Sequence, residues 1–257
     1  MAFLISILKE IAELMLRKFR IIKAGNKPEV HVESQALKKE GLYVRPDFLS
    51  KEECEGFREA IDFHIDGGGG NVWVDEAGAD QRVYFINDID EKFQNFYETS
   101  YFRDVLAACT GTTSPSGMLL AARINCKDNN KGSGGGWHRD SPVTHQFKAI
   151  CYLNDVEEEN GPFQFVKRSQ RKWEVIKCYV RGVFKPGQYR FTDEEIDRYL
   201  LETGSEISSV IGKAGSLVFA DTKGVHRGKP LSGGVRYVLF CYFWHGDIPP
   251  HFQKLRQ

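Results

Sequence analysis

The segment Gly136-Trp137-His138-Arg139-Asp140, taken with the distant His226 and Arg236, constrains the possible folds of this chain more than any other feature. On an extended strand, residues two apart project to the same side, so His138 and Asp140 point together while Arg139 points away. Two imidazoles and one carboxylate can hold one face of an octahedral ion such as Fe(II) and leave the opposite positions open. His226 comes from a remote part of the chain, and only a closed fold returns it to the same point. A barrel does this. An isolated H-x-D arises by chance in many chains, so the specificity lies in the combination.

Arg236 lies in Val235-Arg236-Tyr237-Val238-Leu239-Phe240-Cys241-Tyr242-Phe243, which has the β-branched and aromatic richness of a buried strand. A permanently charged guanidinium there needs a partner. Its planar donor fork matches a carboxylate in bidentate fashion, and the far carboxylate of 2-oxoglutarate would supply one.

These residues resemble the Fe(II)/2-oxoglutarate-dependent dioxygenases, in particular the phytanoyl-CoA dioxygenase-like branch. The resemblance is carried by Trp137 to Asp140, Leu153-Asn154-Asp155 with Asn160-Gly161-Pro162, Ala214 to Phe219, His226-Arg227-Gly228 and Arg236-Tyr237. Phe48-Leu49-Ser50-Lys51-Glu52-Glu53-Cys54 is similar to a helix-opening phrase of these enzymes. The likeness runs in order from about residue 40 to residue 245. It implies a mainly β fold with flanking helices, the double-stranded β-helix or jelly-roll of cupin-like proteins. It also implies Fe(II) on His138, Asp140 and His226, 2-oxoglutarate on Arg236, and hydroxylation of a C–H bond. Related halogenases lack the carboxylate that Asp140 provides. One departure stands out: where the family often continues into Pro-Gly-Ser-His, this chain reads Val166-Lys167-Arg168-Ser169-Gln170.

A chain of 257 residues is long enough for one sizeable core. Residues 1–40 read as an amphipathic helix and linker, and residues 41–257 as the dioxygenase domain. Lys+Arg and Asp+Glu both total 35, so no global field favours nucleic acid. The six cysteines, Cys54, Cys109, Cys126, Cys151, Cys178 and Cys241, form no C-x-x-C pair. They read as reduced residues of a cytoplasmic protein.

Leu4, Leu8, Ile11, Met15, Phe19 and Ile22 recur at helical spacing within Ala2 to Lys23, with Lys9, Arg17, Lys18, Arg20 and Lys23 on other faces. Glu10 and Glu13 interrupt the segment, which falls short of the ~20 apolar residues that span a bilayer. No signal-peptide pattern opens the chain. Two readings stand: docking on the barrel, or peripheral contact of residues 1–23 with the inner face of a membrane. A polar linker is expected over residues 24–40, and a first strand over Gly41 to Phe48. Ser50-Lys51-Glu52-Glu53 is a capping box opening a helix to about Ile65. Gly67 to Gly70 breaks the chain, and Asn71–Asp75 with Gln81–Ile86 forms a hairpin. A second helix covers Lys92 to Cys109. Strands follow at Gly117–Cys126, His145–Asn154, Phe163–Val166, Ile207–Ile211, Gly215–Ala220 and Val235–Trp244. A helix capped by Thr192, with Glu195 at its third position, interrupts them and runs to about Leu201.

Arg123 and Asn125 alternate with apolar neighbours and share one side of their strand. If that side is the interior, Asn125 is a co-substrate contact and Arg123 a substrate contact; otherwise both are surface residues. The loop Asp128 to Gly136 is either a lid, a close-approach segment or a mobile surface loop. Lys167, Arg168, Arg171 and Lys172, followed by Trp173, form either a solvated face or a recognition patch for an anionic group. With the N-terminal helix, the patch reading suggests a lipid-linked glycan such as the acidic Kdo sugar of lipopolysaccharide, or a fatty acyl-CoA. Two other classes share part of this pattern. A non-catalytic cupin-like module binding a metal or an acidic sugar need not keep all four site residues. A zinc hydrolase would leave Arg236 without a task, and no HExxH helix is present. His31, His64, His145, His245 and His251 read as structural or exposed, with His145 nearest the motif.

Overall fold

The structure is a computed structural model that describes residues 2–67, 72–130, 132–140 and 146–256. Among the described residues there are ten strands: β1 (Leu42–Arg45), β2 (Val72–Val74), β3 (Asp80–Tyr84), β4 (Ser116–Asn125), β5 (Phe147–Tyr152), β6 (Phe163–Val166), β7 (Ile207–Val210), β8 (Leu217–Ala220), β9 (His226–Gly228) and β10 (Val235–Trp244). They form a large sheet in the order β1-β8-β5-β10-β4-β3-β2 and a small sheet in the order β7-β6-β9, with antiparallel pairing throughout. The result is a jelly-roll. Its helices are α1 (Ala2–Gly25), α2 (His31–Glu40), α3 (Lys51–Asp66), α4 (Glu91–Tyr97), α5 (Ser100–Thr110), α6 (Lys172–Val180), α7 (Asp193–Thr203) and α8 (Pro250–Gln253).

The large sheet is covered on both faces, which explains the apolar runs of its central strands. Leu119 and Ala121 of β4, Ala149 and Cys151 of β5 and Leu239 and Cys241 of β10 pack outward under the helices, with Phe57, Phe93 and Phe102. The alternate residues Leu120, Ala122, Ile150, Tyr152 and Val238 face inward toward the small sheet, with Phe163 and Phe165. Burying each such side chain stabilises the fold by about 1.5–3 kcal/mol. All six β5 residues are buried, so Lys148 is carried into the interior with its apolar neighbours.

The Ser50 capping box forms as expected, Glu53 N–H donating to Ser50 Oγ and Ser50 N–H to Glu53 Oε2. The same reciprocal cap starts α7, between Thr192 and Glu195. Three expectations need correction. Residues 24–40 are not an extended linker, because α2 buries Ser34 and Leu37 and ends on left-handed Gly41. The helix expected over Lys92 to Cys109 is two helices, broken at Thr99, whose hydroxyl donates to the Phe96 carbonyl and whose backbone leaves the helical region at ψ 120°. The third is α6, missed because it lacks a side-chain cap and shows no clear apolar stripe. The glycine break at 68–70 and His145 lie outside the described residues.

Helix α1 docks on α5: Arg17 Nη2 donates to the Thr110 carbonyl at 3.0 Å. Gly111 permits the close approach, since a Cβ there would meet the Arg17 carbonyl oxygen at 2.6 Å. Among the described residues, no helix is long and apolar enough to cross a membrane. The six cysteines form no disulfide; burial pushes the Cys54 thiol up to about 11.

Candidate metal centre

The two histidines meet through the backbone. His138 N–H donates to the His226 carbonyl at 2.9 Å, and His226 N–H returns the bond at 2.8 Å. His138 therefore sits in a single bridge against β9 rather than in a strand of its own. The motif is bridged to His226 and Arg190 instead of lying in the strand expected for it, and its two ligands still converge with His226. Asp140 is fixed by its N–H bond to the Thr222 carbonyl at 2.8 Å.

Each imidazole is oriented by its own loop. His138 Nδ1 lies 2.9 Å from the Gly136 carbonyl, and His226 Nδ1 lies 2.9 Å from the Gly224 carbonyl. A carbonyl only accepts, so both Nδ1 atoms carry the proton and both Nε2 atoms present lone pairs. The His138, Asp140 and His226 ligand atoms all lie within 4.8 Å of one another. Burial lowers the basicity of both imidazoles, and the Lys148 ammonium lowers it further. Burial alone would raise the Asp140 carboxyl, but Lys148 and then the two histidines outweigh it and hold it well below the usual carboxylate range. The set is thus two neutral imidazoles and one carboxylate, the protonation states a divalent ion needs.

The glycine loop before the motif is a close-approach segment. Gly134, at φ +86°, leaves room for the His138 ring, because a Cβ there would stand 2.3 Å from His138 Cε1. Arg190 ties the loop down, donating to the Gly134 carbonyl at 2.8 Å. Gly134→Ala should therefore cost about 1–2 kcal/mol from its left-handed backbone alone, and should weaken metal binding as His138 is displaced. Thermal melting and a metal titration of the purified variant check this. Beside the loop, Trp137 Nε1 donates to Asp193 Oδ1 at 2.8 Å and Arg227 stacks on the Trp137 ring, which ties α7 to the metal segment.

Arg236 is 2% exposed and lines the same cavity as His138 and His226. Its Nη2 donates to Ser133 Oγ at 3.2 Å, whereas Nε and Nη1 have no hydrogen-bond partner among the described residues. Buried guanidinium donors left open are costly unless a ligand closes them. A guanidinium with donors still open can close on the carboxylate of a ligand in that cavity.

The other residues expected to bind ligands lie elsewhere. In the β4–β10 register Arg123 opposes Tyr237, whereas Arg236 opposes Ile124, so Arg123 faces away from the cavity. It pairs with Asp62 and Asp66 of α3 at 2.7 and 2.6 Å. Asn125 shares that outer side, with its amide near Gln81. Arg168 donates to the Gly204 carbonyl and Arg171 to the Lys39 carbonyl, where cations favour the C-terminal ends of α7 and α2. Trp173 is exposed on α6. None of these five residues lines the metal cavity.

Two residues that sequence reasoning passed over do line it. Lys148 Nζ stands 2.8 Å from Asp140 Oδ2, and Arg82 pairs with buried Asp80 through Nε at 2.8 Å. A separate groove reaches His138 and Asp140 from outside, walled by Tyr179, Tyr189, Trp244 and Phe252, with His251 on its edge.

The profile of the phytanoyl-CoA dioxygenase family (PhyH) matches residues 37–238. The chain is 31% identical to an ectoine dioxygenase of Bordetella parapertussis over 41% of this chain and 38% of that protein. It is 22% identical to the ectoine dioxygenase of Halomonas elongata over 74% of this chain and 62% of that protein. It thus spans less than two thirds of the length of these curated relatives. Its fold is shared by the epimerase SnoN of nogalamycin biosynthesis, solved with Fe3+, alpha ketoglutarate and nogalamycin RO, at a TM-score of 0.65, with 15% identity and 89% of each chain covered. The profile match, taken with the convergence of His138, Asp140 and His226, identifies the chain as a member of the phytanoyl-CoA dioxygenase family.

Proposed function

We propose that the chain is an Fe(II)- and 2-oxoglutarate-dependent dioxygenase that hydroxylates a C–H bond of a small or lipid-linked anionic molecule. The observation that carries this reading is the pair of unpartnered, buried N–H groups on Arg236 in the cavity of the His138–Asp140–His226 cluster. A metal-binding module without catalysis has no use for a buried guanidinium left open beside the metal ligands. Iron held by these residues with 2-oxoglutarate and dioxygen supplies C–H oxidation, with release of succinate and carbon dioxide.

The chain's own part is positioning. His138 and His226 stay neutral and offer Nε2, Asp140 stays anionic, and Arg236 orients the co-substrate by its far carboxylate. The aromatic walls formed by Tyr179, Tyr189, Trp244 and Phe252 bring the hydrocarbon part of the substrate to the ligand cluster and keep water away. Anaerobically purified protein supplied with Fe(II), 2-oxoglutarate and air should release succinate, and omission of Fe(II) should stop it. Absence of iron-dependent succinate would overturn the assignment.

The lipid-linked version, with the Kdo sugar or an acyl-CoA as substrate, is supported by Met15, Phe19 and Ile22. These are exposed by 66%, 64% and 59% along one stripe of α1, beside Lys18 and Lys23. Changing all three to serine should abolish co-sedimentation with anionic vesicles and leave succinate production unchanged. Equal sedimentation of variant and wild type would remove the membrane contact.

A further inference from the structure

Lys148 has no task in the co-substrate chemistry above, yet it occupies the centre of the site. Its ammonium is buried inside the barrel, 2.8 Å from Asp140 Oδ2, 3.5 Å from His226 Nε2 and 4.8 Å from the centroid of the Tyr242 ring. Asp140 Oδ2 and His226 Nε2 are themselves 3.8 Å apart. An ion gripped by these two atoms claims the space that the ammonium fills, and the two positive charges repel. An ammonium pushed off the ion has the cavity that Lys148 already lines to occupy.

That cavity is short of negative charge. Its described cations are Arg82, Lys148 and Arg236. The carboxylates against them are Asp80, paired with Arg82, and Asp140. A divalent ion adds two positive charges, which the two carboxylates of 2-oxoglutarate cancel. One positive charge is left over, and it belongs to Lys148, whose former partner Asp140 is committed to the ion. A buried ammonium without a counter-ion is costly.

We infer that Lys148 anchors a carboxylate of the substrate, so that the oxidised carbon stands close to that carboxylate. The inference rests on the dioxygenase reading and narrows it. A short acid such as a sugar acid or an amino acid is favoured over a molecule whose anionic group lies at the far end of a long tail. The groove walled by Tyr189 and Trp244 then receives the rest of the molecule.

The test uses Co(II) in place of iron, with saturating 2-oxoglutarate, at constant ionic strength in chloride. Propionate and lactate should alter the visible Co(II) absorption of the wild-type complex, while propionamide and lactamide should not. Lys148→Gln should still form the Co(II)–2-oxoglutarate complex and should weaken the carboxylate response about 10- to 100-fold, the loss of one charge-assisted hydrogen bond. Without 2-oxoglutarate the same variant should bind Co(II) more tightly than wild type, because the competing cation is gone. Equal responses to acids and amides, or an unchanged carboxylate response in Lys148→Gln, would overturn the inference. Should the variant fail to fold, the wild-type comparison of acids with amides decides alone. Failure of the wild type to form any Co(II)–2-oxoglutarate complex would instead overturn the dioxygenase reading, and this inference with it.

Discussion

Replacing His226 by alanine is expected to abolish iron-dependent turnover of 2-oxoglutarate. His226 supplies one of three ligand atoms, is 2% exposed, and has its imidazole aimed by the Gly224 carbonyl. The outer partners of metal ligands are commonly worth about 10- to 100-fold in affinity or activity; loss of a ligand itself should exceed that. The backbone bonds between residues 138 and 226 do not involve the imidazole, so the barrel mouth should still close. Metal titration, succinate release and thermal melting on one preparation separate a lost ligand from a lost fold. Wild-type iron affinity and turnover in His226→Ala would remove the metal assignment.

Arg236→Leu should leave iron binding in place and raise the 2-oxoglutarate requirement steeply. Removing one partner of a buried, hydrogen-bonded charge pair costs about 2–5 kcal/mol, a factor of roughly 30 to several thousand in affinity. Burial also lowers the Arg236 pKa, with Tyr152 and Asp80 opposing that shift, so an arriving carboxylate relieves a charge already held at a cost. The KM for 2-oxoglutarate, measured beside Fe(II) affinity, checks both halves of the expectation. An unchanged KM would mean that the two open N–H groups serve something else.

The metal set and Arg236 were legible because each breaks a strong local rule. A charge within an apolar strand, and two ligand types at strand spacing, ask for an explanation that a surface does not provide. Lys148 breaks the same rule, as the one charge in Phe147-Lys148-Ala149-Ile150-Cys151-Tyr152, but no second polar residue at strand spacing marks it as part of a site. Arg123 and Asn125 failed for a different reason. Their shared side of β4 was right, but β4 is apolar on both faces along most of its length, so alternation says nothing about which face is inner. Density of charge does not by itself choose between the two readings of Lys167 to Lys172, where Arg168 and Arg171 satisfy backbone carbonyls at helix ends. Residues 24–40 looked like a linker because the buried face of α2 is narrow and carries Glu33, whose carboxylate accepts from Tyr101 at 2.6 Å. That partner is distant in sequence.

The most direct test of the whole account is an anaerobic titration of the wild-type protein with Fe(II) in the presence and absence of 2-oxoglutarate, followed by calorimetry and visible absorption. One ion per chain is expected, with a metal-to-ligand charge-transfer band that requires both components and disappears in Asp140→Ala. Fe(II) binding that is indifferent to 2-oxoglutarate, with no such band, would contradict it.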